Sequence, residues 1–166
     1  MSHLTNALRG ATAVALMGSL ACLGTATANA DPTDTLAANL SKGYSLSNCK
    51  PAQGPSGVQA VIECGQNTDP AGPVFAKYLL FGSGSDLSSS FTQSIGSDTL
   101  TNCGDTKSPT VWHQGSSNDS AGQVACGTYQ SQAEVIWTTD AKNVMSLIRA
   151  SNGDTAALYQ WWRTNG

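Results

Sequence analysis

Few residues in this chain have the types and spacing needed for chemistry. Of its two histidines, only His113 lies outside an apolar N-terminal stretch, so acid–base catalysis would have to be built on that single imidazole and whatever folding brings near it. No Gly-x-Ser-x-Gly elbow is present to supply an activated serine; Gly82-Ser83-Gly84-Ser85 is offset from that pattern. A glycosidase-type carboxylate pair would have to come from Glu63, Glu134 or the scattered aspartates. Both glutamates sit in short apolar runs, where the outward face of an alternating strand carries such groups, so both are expected at the surface. A small cell-envelope hydrolase using His113 or a carboxylate is the catalytic alternative these residues leave open.

Aromatic residues offer a second kind of chemistry. Trp112, His113, Trp137 and Trp161 are the candidate ligand contacts, because indole faces stack on rings and each carries a polar N–H. The plainer reading is structural. In a C-terminal helix Leu158 and Trp162 share one face while Tyr159 and Trp161 diverge from it, which suits anchoring that helix onto a sheet. Gly82-Ser83-Gly84-Ser85 lacks the lysine of a phosphate loop and the spacing of a dinucleotide fingerprint, and kinase signatures are absent, so no cofactor is expected.

Residues Ala11 to Ala28 form an alanine-rich apolar run behind Arg9, and Ala28-Asn29-Ala30 is the small-x-small pattern of a cleavage site. Residues 1–30 therefore read as a signal peptide and 31–166 as one exported domain. A retained membrane anchor is disfavoured by the Thr, Gly and Ser that dilute the run, and a lipid anchor on Cys22 by the lack of an aliphatic residue three positions before it. Beyond residue 30 seven Lys/Arg face eleven Asp/Glu, a formal charge of −4 with no cluster of either sign. Nucleic acid and anionic membrane surfaces are thus poor partners, and a monomer is expected in the cell envelope or outside the cell.

Four cysteines remain after the leader: Cys49, Cys64, Cys103 and Cys126. An even count in an exported chain reads as two disulfides, with three possible connectivities. None falls in a Cys-x-x-Cys pair, so no metal site is expected.

These residues must be positioned by a modest set of elements. Asp34 to Lys42 spaces Leu36 and Leu40 as a short helix; Tyr44 to Cys49 reads as extended, and Lys50 to Gly57 as a loop. Val58 to Cys64 and Val74 to Phe81 read as strands. A helix capped by Asp86 follows, with Leu87, Phe91 and Ile95 four apart. In the second half, Asn102 to Pro109 reads as loop, Thr110 to His113 as a short strand, and Gly115 to Gly122 as a polar loop. Gln123 to Tyr129 and Ala133 to Thr138 form a hairpin in which Gly127 and Ser131 are the turn residues. Asp140 caps a helix from Ala141 that carries Val144, Leu147 and Ile148; a last helix starts near Asp154.

Laid side by side, each half has a cysteine, a loop, a Cys-Gly strand, a strand ending in an aromatic, and an Asp that can cap a helix. The layout suggests two β-β-β-α units and an α+β fold, an antiparallel sheet with helices on one face. If each unit is self-contained, Cys49 pairs with Cys64 and Cys103 with Cys126, each bridge worth about 3 kcal/mol in the chain-entropy picture.

Gly122-Gln123-Val124-Ala125-Cys126-Gly127, Val135-Ile136-Trp137-Thr138 and Leu158-Tyr159-Gln160-Trp161-Trp162 together resemble a pattern in small exported mycobacterial and actinobacterial proteins and in the extracytoplasmic portion of actinobacterial serine/threonine kinases. The likeness covers the last third of the chain. It implies a sensor-like, non-enzymatic module that binds an envelope ligand or protein, without a kinase domain and without catalytic residues to carry over.

Overall fold

A computed structural model describes residues 30–166; the expected signal peptide lies outside the described residues except for Ala30. The elements run α1 (Pro32–Ala37), β1 (Cys49–Ala52), β2 (Val58–Cys64), β3 (Phe75–Phe81), α2 (Gly84–Ile95), β4 (Thr99–Cys103), β5 (Thr106–Lys107), β6 (Thr110–His113), β7 (Ser120–Tyr129), β8 (Gln132–Thr139), β9 (Val144–Arg149) and α3 (Thr155–Asn165). All nine strands join one antiparallel sheet in the order β1-β2-β3-β9-β8-β7-β4-β5, and β6 lies against the first half of β7. The class is α+β, as the alternating pattern of the strands requires.

The sheet is buried on both faces, which corrects the expectation of helices on one side. On one face Ala76, Tyr78, Leu80, Val135, Trp137 and Ile148 pack under Leu36 of α1 and Leu158 and Trp162 of α3. On the other, Leu79, Phe81, Ala125, Ile136 and Met145 pack under Leu87 and Phe91 of α2. Strand β8 is buried from Ala133 through Thr138 because it is central and covered twice.

The second correction concerns residues after the β7–β8 hairpin. Where a helix from Ala141 is expected, Asp140–Lys142 forms one 3-10 turn, and Val144–Arg149 becomes β9, inserted between β3 and β8. The spacing of Val144, Leu147 and Ile148 fits a helix, but the left-handed Asn143 (φ 52°) breaks a helix begun at Ala141 after one turn, and the run that follows lies between two strands whose free edges it can pair. Two flanking strands satisfy the backbone instead. The halves are consequently not equivalent: β3 leads into a helix and β8 into another strand.

Other boundaries shift for local reasons. Asp31, not Asp34, caps α1, accepting from the Thr33 amide (2.7 Å) with Pro32 in the first turn. Ser83 rather than Asp86 caps α2, and Asp86 accepts back from the Ser83 hydroxyl (2.7 Å). Residues Cys49–Ala52, expected as extended chain running into loop, form edge strand β1, where Pro51 is tolerated because one side is unpaired. Tyr44 sits buried in a turn and donates to the Pro73 carbonyl (3.3 Å). Thr99–Cys103, outside any expected strand, forms β4 against β7. The β7–β8 turn is Gln130-Ser131, both with positive φ, while Gly127 stays in β7, where a Cβ would stand 2.8 Å from the Thr99 carbonyl oxygen.

Cys49 bonds Cys64 across β1–β2, and Cys103 bonds Cys126 across β4–β7, the sequential pairing. Both bridges belong to the α1/α3 core and fit an oxidising compartment. Among the described residues no helix is long and apolar enough to cross a membrane.

Candidate functional site

An aromatic ladder runs through the α1/α3 face. Tyr44 meets Tyr78 edge-on (6.2 Å between centroids), Tyr78 meets Trp137 (6.4 Å), Trp137 meets Trp162 (5.8 Å), and Trp162 meets Trp112 (5.7 Å) and stacks on Tyr159 (5.5 Å). Edge-to-face contacts of this kind add to the area each ring buries. Burial raises the pKa of Tyr44 and of Tyr78 above the ordinary phenol range, so both stay neutral in the core, where the Tyr78 hydroxyl accepts from the Ser41 amide (3.1 Å).

At the sheet edge the ladder opens into a cleft of about 440 Å³ between β6 and α3. Trp112, His113 and Gln114 form one wall, and Tyr159, Trp162 and Arg163 the other. Trp112 is fixed by its indole N–H, which donates to the Thr138 carbonyl (2.7 Å). That carbonyl is reachable because Gly122 lies opposite; a Cβ there would stand 2.1 Å from the same oxygen, at φ +156°. His113 is exposed, and its Nδ1 lies 3.0 Å from the Asp119 carbonyl. A carbonyl only accepts, so Nδ1 carries the proton and Nε2 is the remaining ring nitrogen.

Of the four candidate ligand residues, the structure brings Trp112 and His113 to this cleft. Trp137 is 4% exposed and lies beneath, against Trp162. Trp161 points elsewhere, donating to Asp69 Oδ2 (3.0 Å) and tying α3 to the loop between β2 and β3. Tyr159, Trp162 and Arg163 escaped sequence reasoning as a group, although their i, i+3, i+4 spacing on α3 is the signal that joins them. The cleft lining contains no carboxylate side chain and no serine.

The carboxylates behave differently on the two sides of the opposite face. Glu63 is partly exposed and pairs with Lys77 (2.9 Å). Glu134, expected at the surface, is only 4% exposed, because β8 is covered on both faces. Arg149, its cross-strand neighbour, donates from Nε to Glu134 Oε2 (2.7 Å) and from Nη2 to the same oxygen. The guanidinium also lies 4.7 Å from the Tyr129 ring centroid and 5.5 Å from that of Phe75. Burial raises the Glu134 pKa, with Arg149 opposing. Asp98, between α2 and β4, is pushed up to about 6 by burial and then by Glu134, again against Arg149.

Other concavities of similar size are a groove of about 480 Å³ beside α2, lined by Leu87, Phe91, Ile95, Pro109 and Thr138 among others, and one of about 520 Å³ beside β1 and β2, lined by Asn48, Lys50, Glu63 and Phe75 among others. Among the described residues no cluster of three or more His, Cys, Asp or Glu is placed to hold a metal. Against known proteins, the chain matches no family model, no curated protein and no solved structure.

Proposed function

We propose that this chain is an exported, non-enzymatic domain that binds a small ligand in the cleft between β6 and α3, a sensor-like module. The observation that carries the reading is the lining of that cleft. Two aromatic walls, an imidazole, an amide and a guanidinium are binding groups, and no carboxylate or serine side chain stands among them to act as nucleophile or partner base. The leader pattern and the disulfides support an extracytoplasmic place of work, and the resemblance of the last third to extracytoplasmic sensor modules points the same way.

The test uses the oxidised secreted protein incubated with envelope glycans, peptides and esters. Tryptophan fluorescence reports binding, and chromatography reports the fate of each compound. Saturable binding with the compound recovered intact supports the reading. Turnover that disappears in His113→Ala or Glu134→Gln contradicts it and favours an envelope hydrolase.

A further inference from the structure

Arg163 forms no ion pair among the described residues, whereas Lys77 and Arg149 each pair with a glutamate. Its position in the last turn of α3 suits a cation near a helix C-terminus, which explains its charge without a ligand. The neighbouring Trp162 has no such explanation. Its indole N–H is buried, in a side chain only 7% exposed, and finds no acceptor among the described residues. Trp112 and Trp161 donate to Thr138 and Asp69. A buried donor left without an acceptor is costly and calls for one.

Trp162 is a wall of the same cleft as Arg163, and the residue over its indole nitrogen is Gly166, also on the cleft wall; a Cβ built there would stand 2.5 Å from Nε1. We infer that the cleft takes a ring bearing an oxyanion, with Arg163 and the Trp162 indole N–H as donors to that anion and the Trp112 and Tyr159 rings flanking it. The inference rests on the cleft being the ligand site. Gly166 lifts to admit the acceptor, exchanging its own amide contact with the Trp162 carbonyl (2.7 Å) for solvent. The volume suits one sugar or one aromatic acid. Arg163 is the one formally charged side chain of the lining, so its place beside the Trp162 indole N–H favours an oxyanion over a neutral acceptor.

Two matched pairs of probes test this on the full secreted domain labelled with ¹⁵N at the indoles: glucuronate against glucose, and benzoate against benzamide. The expected result is a saturable shift of the Trp162 indole resonance with an anionic member, at least ten-fold tighter than with its neutral partner. Which pair responds identifies a sugar acid or an aromatic acid. Arg163→Gln, on the exposed side of α3, should weaken anion binding about ten-fold, and Trp162→Phe should abolish the anion preference. Should Trp162→Phe fail to fold, the Arg163→Gln result decides. Equal binding of anionic and neutral partners, or a shift of the Trp112 indole with Trp162 unmoved, overturns the inference and leaves the cleft a ligand site. No movement of any cleft resonance with any probe overturns both.

Discussion

The two faces of the sheet use the same strands for different ends. Under α1 and α3 the core is an aromatic ladder from Tyr44 to Tyr159, stapled by both disulfides and ending in an open cleft. Under α2 it is a smaller cluster of Leu, Phe, Ile and Met, beyond which lies the Asp98–Glu134–Arg149 group. Alternation along β3, β8 and β9 separates these environments by one residue. The comparison teaches that the face carrying both disulfides is the one that opens into the cleft, while the ionisable groups sit where titration disturbs one end of the α2 layer.

Breaking the ladder should cost most. Trp137→Ala, at a fully enclosed central position, is expected to lose about 4 kcal/mol in urea unfolding, against about 3 kcal/mol for Phe91→Ala on the α2 face. An equal or larger loss at Phe91 would remove the distinction between the faces. Next, Arg149→Met should cost about 3 kcal/mol, because it leaves Glu134 buried without its cation and beside Asp98. A silent substitution would mean that the ion pair contributes no more than a surface contact.

The α2 face should also respond to pH. Folding raises the Asp98 pKa to about 6, so between roughly pH 4 and 6 the folded protein holds a proton that the unfolded chain has released. Asp98 and Glu134, both raised, therefore favour the folded state in acid, and that contribution is lost as pH rises through the folded values. For Asp98 the loss should reach about 1–2 kcal/mol, allowing for its partial exposure, and Asp98→Asn should flatten the dependence when urea midpoints are compared at pH 4.5 and 7.5. A profile unchanged by that substitution would remove Asp98 from the account. The smallest effect belongs to a cap: Asp154 accepts from the Ala157 amide (2.9 Å), and Asp154→Ala should cost about 1 kcal/mol, with fraying of α3 visible as faster amide exchange at Ala157.

How legible these regions were in sequence followed from how local their causes are. The alternating runs of β2, β3 and β8 and the four-residue spacing of α2 declared themselves, and the pairing of Cys103 with Cys126 followed from placing each cysteine within its own half. β9 did not, since its identity as a strand depends on β3 and β8 flanking it, and a six-residue apolar run is ambiguous by itself. The burial of Glu134 was hidden for the same reason: outward faces are solvated only where no second layer covers them, and α2 belongs to that second layer. Trp112 and His113 were visible as candidates, but the cleft's other wall depends on where α3 docks, a tertiary fact. Trp161 and Trp162, adjacent in sequence, are sent to different partners by the helical turn between them.

The most direct test of the central claim is the Trp162 indole resonance during titration of the oxidised domain with glucuronate and benzoate, with each compound assayed afterwards. A saturable shift with the compound recovered unchanged is the predicted result. An unmoved cleft, or consumption of the compound, would contradict it.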